Sequence, residues 1–122
     1  MKILLIDDED DIRKIARLSL ARVGKMEVVD AGSGLEGVRR AEEERPDAIL
    51  LDVMMPGLDG PSTLAALRSN PKTAAIPVVF LTAKAMPAEV ERLKGLGARG
   101  VLIKPFDPMT LPGQLRAALE GA

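Results

Sequence analysis

The chain has 122 residues, of which 47% are hydrophobic and 29% charged, and this length and composition suit one domain around a single core. A net charge of -1, with Lys and Arg scattered along the chain, argues against direct binding of nucleic acid. Since Cys and His are absent, zinc sites built from them, a thiol nucleophile and a serine–histidine pair are excluded. The apolar run of residues 3–6 is too short for a secretion signal or a membrane span, so we expect a cytoplasmic domain with no membrane partner.

Five short runs rich in β-branched residues or leucine predict buried strands at residues 2–6, 26–30, 48–51, 77–81 and 101–103. The segments between them have helical spacing, clearest in residues 12–23, where apolar and small side chains recur at steps of three and one. The last helix contains two prolines and is expected to begin regularly near Thr110 or Leu111. The chain therefore alternates strand and helix throughout.

Helix ends are marked by residues with capping preferences. Ser33 and Asp59 are suited to cap the second and third helices, and Pro87 suits the first turn of the fourth. Three glycines, Gly24, Gly95 and Gly97, are expected where helices stop.

This alternation predicts an α/β fold, a doubly wound parallel sheet of five strands with helices on both faces and right-handed crossovers. A single domain over residues 1–122 is expected. In open parallel sheets, ligands bind at the carboxyl ends of the strands, where the direction of winding reverses. Functional residues should therefore follow the strands.

Polar residues do follow four of the five predicted strands, namely Asp7, Asp8, Asp52, Thr82 and Lys104. Three carboxylates in one place repel one another, each close pair by about 4 kcal/mol at an effective dielectric near 20, and a divalent cation removes that cost. Magnesium prefers such oxygen ligands and shares its shell with phosphate oxygens. A lysine and a hydroxyl nearby suit the oxygens of a phosphoryl group, so the edge suggests phosphoryl chemistry.

Three further acids, Glu9, Asp10 and Asp11, are expected in the first turn of the first helix. There they oppose the positive end of the helix dipole, and we assign them that structural role.

Four sequence blocks, IDDE at 6–9, LDVMMPGLDG at 51–60, FLTAKA at 80–85 and GVLIKPF at 100–106, together resemble the receiver domain of two-component response regulators, the CheY-like family. The resemblance covers essentially the whole chain. It implies a flavodoxin-like (βα)5 fold with strand order 2-1-3-4-5. It also implies a phosphoacceptor signalling domain that assists only its own phosphorylation and dephosphorylation, rather than an enzyme.

The resemblance implies a role for each residue at the strand ends. Asp52 looks like the aspartate that accepts a phosphoryl group from the phosphohistidine of a sensor histidine kinase or phosphotransfer protein. Asp7 and Asp8 look like the acidic pair that holds Mg2+ together with Asp52, Asp8 directly and Asp7 through water. The main-chain carbonyl of Met54 would complete the protein ligands.

The same resemblance makes Thr82 the switch hydroxyl and Lys104 the phosphate-contacting lysine, with a cis bond between Lys104 and Pro105. Many receivers carry an aromatic residue where this chain has Val101, so a weaker or different response of the surface formed by the fourth helix, fifth strand and fifth helix is expected. The downstream protein target is not specified by the sequence, and a stand-alone regulator, a relay intermediate and a piece of a larger protein remain open.

Three alternatives deserve comparison. The segment GSGLEG at 32–37 fits a dinucleotide-binding fingerprint, but it follows the second strand and leaves Asp7, Asp8, Thr82 and Lys104 unexplained. A magnesium-dependent phosphohydrolase would also use an aspartyl phosphate, but 122 residues leave no room for a substrate-enclosing cap. A degenerate receiver that only binds partners is disfavoured because every acidic and basic position is intact.

Overall fold

Five strands form the centre of the fold in the computed structural model, which describes residues 1–121. They are β1 (Lys2–Ile6), β2 (Glu27–Ala31), β3 (Ala48–Asp52), β4 (Val78–Thr82) and β5 (Gly100–Ile103). All neighbouring pairs are parallel, in the order β2-β1-β3-β4-β5. The predicted doubly wound sheet and its 2-1-3-4-5 order are confirmed.

One helix follows each strand: α1 (Asp10–Leu18), α2 (Gly34–Glu44), α3 (Gly60–Ser69), α4 (Pro87–Gly95) and α5 (Leu111–Glu120). Helix α1 continues into a π-helical turn, Ser19–Val23, that ends at Gly24. Within residues 1–121, the helices are all too short or too polar to cross a lipid bilayer.

Side chains of each strand alternate between two cores, one on each face of the sheet. Leu4 and Ile6 of β1 pack with residues of α2, α3 and α4, whereas Ile3 and Leu5 pack with residues of α1 and α5. Strands β3 and β4 are buried at every position. Because both faces of the sheet are covered, the strands are continuous apolar runs, which is why they could be recognised from sequence.

The strand ends differ from the prediction by one residue. Asp52 and Thr82 are the last residues of β3 and β4, paired with Leu81 and Ile103, rather than the first residues after them. Strand β2 begins at Glu27 because the amide of Met26 donates to the carbonyl of Leu20 in the preceding helical turn. These shifts leave the predicted residues at the carboxyl edge.

Helix ends agree with the sequence in most places. Ser33 and Asp59 accept hydrogen bonds from the first turns of α2 and α3, Pro87 opens α4, and α5 begins at Leu111, as predicted. Helix α2 instead stops at Arg45, whose φ of 48° is left-handed, and no glycine marks this end. Gly97 has a φ of 102° two residues beyond the end of α4.

The glycines of GSGLEG serve packing. A Cβ at Gly37 would lie 2.4 Å from Cδ1 of Ile6, and one at Gly34 would lie 2.6 Å from the carbonyl oxygen of Leu58. Helix α2 can approach β1 and the loop before α3 only without these side chains. This close packing explains the motif without a dinucleotide.

Replacing Gly37 with alanine should therefore destabilise the protein. Overpacking against the buried Ile6 costs about 1–3 kcal/mol, which exceeds the gain in helix propensity of about 1 kcal/mol. We expect a lower free energy of unfolding in urea, followed by circular dichroism. Gly113→Ala is the matched control, because Gly113 lies in α5 with no atom within 4 Å of its would-be Cβ, and this variant should be as stable as the wild type or more so. Equal stability of Gly37→Ala and the wild type would contradict the packing account.

Candidate functional site

Three carboxylates meet where the winding of the sheet reverses. Strands β1 and β3 are neighbours, but the chain crosses from β1 to β2 on one side and from β3 to β4 on the other. Asp7 and Asp8 follow β1, and Asp52 ends β3. One oxygen from each of these three side chains lies within 4.8 Å of the others. The predicted acidic residues are thus brought together.

Lys104 joins the acidic cluster from the end of β5. Its Nζ lies 3.0 Å from Oδ2 of Asp7 and 3.1 Å from Oδ1 of Asp52. The side chain of Lys104 is 13% exposed, while those of Asp7 and Asp52 are 0% and 4% exposed. These ion pairs are therefore shielded from water and stronger than surface pairs.

The two acids after β1 differ in their hydrogen bonding. Oδ1 of Asp7 accepts from the amide of Glu9 at 2.9 Å, and Oδ2 accepts from Lys104, so both oxygens are used. Oδ1 of Asp8 is buried and has no hydrogen-bond partner among residues 1–121. A buried carboxylate oxygen without a partner is costly, and a bound cation would satisfy it. The donor set therefore fits a hard divalent ion, with Asp8 offering the vacant ligand atom.

Thr82 contributes a buried hydroxyl at the end of β4, with 1% of the residue exposed. Its Oγ1 accepts a hydrogen bond from the amide of Lys84 at 3.1 Å, which leaves the hydroxyl proton able to donate. The carbonyl of Thr82 accepts from the amide of Lys104 at 2.8 Å, so the two residues are tied through the backbone.

Met54 lies two residues beyond the end of β3, with its side chain exposed. Only the main-chain carbonyl of Met54 is predicted to belong to the site. The bond between Lys104 and Pro105 is cis, as the family resemblance predicted. Val101 lies on β5 opposite Phe80, half-buried against the core that faces α2, α3 and α4.

Glu9 is placed differently from the prediction. Helix α1 begins at Asp10, and Glu9 is the extended residue before it, with its side chain making no capping hydrogen bond. Its Oε1 lies 3.6 Å from Nζ of Lys104. Asp10 and Asp11 do lie in the first turn. The predicted placement of Glu9 in the first turn is therefore wrong, and the signal that could have revealed its contact with Lys104 is its position directly after the two clustered acids.

Gly60 allows α3 to support the end of β3. A Cβ at Gly60 would lie 2.6 Å from the carbonyl oxygen of Asp52 and 2.7 Å from Cα of Val53. The amide of Gly60 donates to the carbonyl of Val53 at 2.9 Å. The backbone beneath Asp52 is therefore held by direct contact with the start of α3.

The electrostatics of the site favour a second positive charge. Burial and the neighbouring charge of Asp7 raise the pKa of Asp52 to about 6, and Lys104 offsets only part of this effect. Burial alone would lower the pKa of Lys104, but its hydrogen bond and ion pair with Asp7, and the charge of Asp52, raise it instead. Lys104 therefore stays charged, and its positive charge stabilises the ionised form of Asp52 only in part.

Residues 3–116 match the family model described as the response regulator receiver domain. The chain belongs to this family, whose members are signalling domains of two-component systems rather than metabolic enzymes. The resemblance found in the sequence is confirmed.

Curated relatives and solved structures agree with this assignment. The chain is 38% identical over 121 residues to the alkaline phosphatase synthesis transcriptional regulatory protein PhoP of Bacillus subtilis, covering 98% of this chain and 48% of that protein. It is 39% identical over 121 residues to the probable transcriptional regulator ycf27 of Guillardia theta, covering 98% and 45%. The chain thus spans about half the length of these curated relatives. The chemotaxis response regulator CheY4 of Vibrio cholerae superposes with a TM-score of 0.88 at 34% identity, over 96% of this chain and 97% of that one.

Asp52→Asn should stabilise the metal-free domain at neutral pH. Because the pKa of Asp52 is raised in the folded state from 3.8 to about 6, the folded state binds more protons than the unfolded state between these values. Stability therefore falls as pH rises through this window, by up to about 3 kcal/mol for a shift of this size. In urea unfolding with EDTA, we therefore expect Asp52→Asn to raise the free energy of unfolding at pH 7.5. At pH 4 the same substitution should change it less.

The exposed Asp11 provides the control, since Asp11→Asn removes a carboxylate from the first turn of α1 rather than from the buried cluster. Its stability should follow that of the wild type with pH, apart from a small change in the helix dipole term. An Asp52→Asn protein that is less stable than the wild type at pH 7.5 would contradict the electrostatic account.

Proposed function

We propose that Asp52 accepts a phosphoryl group from the phosphohistidine of a sensor histidine kinase or phosphotransfer protein. The observation that supports this most is the buried carboxylate of Asp52, paired with Lys104 and within 4.8 Å of oxygens from Asp7 and Asp8. Such a pocket combines a nucleophile with the positive charge and the cation ligands that phosphoryl transfer requires.

The oxygen ligands favour Mg2+ as the cofactor. Asp8 would supply its unpartnered Oδ1, Asp52 a carboxylate oxygen and Met54 its main-chain carbonyl, while Asp7, whose two oxygens already accept hydrogen bonds, would act through water. When bound, Mg2+ neutralises the charge on the phosphoryl oxygens and on the carboxylates.

In the transfer, a carboxylate oxygen of Asp52 attacks phosphorus in line with the departing imidazole nitrogen. The new O–P bond forms as the N–P bond breaks, and the imidazole keeps the electron pair, so no oxidant or further reactant is needed. The ammonium of Lys104 and the hydroxyl of Thr82 donate hydrogen bonds to the phosphoryl oxygens, where negative charge is greatest. The absence of His in this chain is consistent with a donor histidine on the partner.

A protein donor is favoured by the apolar surface beside the pocket. A cavity of about 500 Å³ is lined mainly by apolar residues of α1 and of the loop after β5, together with Lys104 and Glu9. Ile15, on the same surface, is 44% exposed. Apolar surface at the entrance to a charged site suits contact with a folded partner rather than with a small phosphate ester.

Phosphorylation would be signalled to a downstream protein through Thr82 and Lys104. Both would move toward the new phosphoryl oxygens; Thr82 is the last residue of β4 and Lys104 follows β5, the strands that lead to α4 and α5. Val101 has a small side chain at the position where many receivers carry an aromatic ring, so the change at this surface would be smaller than a ring rotation. The relatives' names as transcriptional regulators suggest that the target controls transcription, while this domain itself is not expected to bind DNA.

Acetyl phosphate with MgCl2 should give one phosphoryl adduct on the wild-type protein, measured by intact mass spectrometry. The adduct should be lost in Asp52→Asn and in EDTA, because the acceptor oxygen or the charge neutralisation is then missing. Asp11→Asn is the control and should be modified like the wild type. An adduct that persists in Asp52→Asn would place the acceptor elsewhere, and rapid turnover of small phosphate esters would favour a phosphohydrolase.

Lys104→Met should separate metal binding from transfer. Removing the ammonium from Asp7 and Asp52 takes away a competing cation, so the affinity for Mg2+ by isothermal titration should not fall. Adduct formation at saturating Mg2+ should slow by about 10²- to 10³-fold, the usual effect of losing one donor to developing charge. Lys14→Met, on the exposed side of α1, should match the wild type in both measurements. Unchanged transfer by Lys104→Met would remove Lys104 from the proposed mechanism.

A further inference from the structure

The guanidinium of Arg13 lies against the loop that carries the two acids after β1. Nη1 of Arg13 donates to the carbonyl oxygen of Asp7 at 2.9 Å. Its side chain, on the second turn of α1, is only 21% exposed. Arg13 lies outside the four sequence blocks that resemble the receiver domain, and the proposed transfer does not use it directly.

The carbonyl of Asp7 belongs to the peptide bond that joins Asp7 to Asp8. The amide of Asp7 donates to Ala31 of β2 at 3.2 Å, so with Arg13 this short segment is held on both sides. The orientation of the peptide determines the direction in which the side chain of Asp8 leaves the backbone. The hydrogen bond from Arg13 therefore helps to aim the unpartnered Oδ1 of Asp8 into the site.

Arg13 is itself fixed by two acids outside the metal cluster. Nη2 lies 2.5 Å from Oδ1 of Asp10, and Nε lies 3.6 Å from Oδ2 of Asp30. A Cβ at Gly32 would lie 3.1 Å from Nη1, so the guanidinium rests directly over this glycine. The three guanidinium nitrogens thus each face a different oxygen, an arrangement that the single ammonium of a lysine could not reproduce.

We propose that Arg13 is a positioning residue for the metal site, which sets the affinity for Mg2+ by orienting the Asp7–Asp8 peptide. This inference rests on the proposed Mg2+ site of the phosphoacceptor function. It assigns to Arg13 the part that residues behind metal ligands usually play, where substitution weakens metal binding by about 10- to 100-fold.

The test compares Mg2+ affinity in Arg13→Lys and Arg13→Gln with that of the wild type, by isothermal titration with MgCl2. Arg17 provides the matched control, because it lies one turn along the same helix and approaches Asp30 at 3.7 Å, but it is more exposed, at 54%. We expect about tenfold weaker binding in both Arg13 variants. Arg17→Lys and Arg17→Gln should stay close to the wild type.

The sign of the change separates positioning from simple charge. A cation near the metal site repels Mg2+, so a purely electrostatic role predicts tighter binding in Arg13→Gln. A positioning role predicts weaker binding, and in Arg13→Lys too, where the charge is kept. Unchanged or tighter binding in the Arg13 variants, with normal binding by the wild type, overturns the inference alone. Failure of the wild type to bind Mg2+ overturns both the inference and the proposed function.

Gly32→Ala tests the same contact without altering Arg13. The added Cβ would lie 3.1 Å from Nη1 and push the guanidinium slightly away from the Asp7 carbonyl, so Mg2+ binding should weaken in the same direction, by less than in the Arg13 variants. Thermal unfolding with and without MgCl2 supplies a second readout, because a ligand stabilises the fold according to its affinity. The Mg2+-induced rise in melting temperature should be smaller in the Arg13 and Gly32 variants than in the wild type. If Mg2+ instead raised the melting temperature of the variants as much as that of the wild type, the variants would be destabilised equally in EDTA and in Mg2+. That result would show a merely structural role and overturn the inference.

Discussion

The repulsion among three clustered carboxylates, two of them buried, is the constraint on which this site depends. Asp7, Asp8 and Asp52 are drawn to one edge because β1 and β3 are neighbours and both end there. At an effective dielectric near 20, each close pair costs about 4 kcal/mol, which is comparable to a large part of the stability of a small domain. Burial and the charge of Asp7 raise the pKa of Asp52, and the one ammonium, that of Lys104, offsets only part of this effect. A cation bound at this edge would therefore relieve the repulsion among the three carboxylates.

The fold tolerates this cost because the residues that stabilise it, in the two apolar cores, are separate from the charged cluster at the strand ends. Strands β3 and β4 are buried throughout, and two apolar cores cover the faces of the sheet. Each fully buried aliphatic side chain contributes about 1.5–3 kcal/mol, so the strands tolerate an unfavourable cluster at their ends. Direct backbone contact at Gly60 then limits how far Asp52 can relax away from its neighbours. Rigidity keeps the charges together when repulsion alone would separate them.

Much of this arrangement could be predicted from the sequence because it follows from strand polarity. Once five apolar runs alternate with helices, parallel pairing sends every strand end to the same edge, and Asp52, Thr82 and Lys104 must meet there. The contact between Glu9 and Lys104 could not be predicted in this way. It depends on where α1 begins, a difference of one residue, and on the direction of one side chain toward Lys104. The left-handed stop at Arg45 could not be predicted from residue preference either, because glycine or asparagine usually occupies such a helix end.

The two cations near the acids, Lys104 and Arg13, illustrate how position determines the consequence of a charge. Lys104 points its ammonium between two carboxylates of the pocket, where in the proposed function it would compete with Mg2+ for Asp7 and Asp52 and donate to a phosphoryl oxygen. Arg13 touches the same loop from behind, through the carbonyl of Asp7, and its own charge is met by Asp10 and Asp30. The first cation therefore acts on charge within the pocket, whereas the second acts on geometry. An acidic pair at the end of a strand needs both, because ligands that repel one another hold a useful orientation only when the backbone that carries them is fixed.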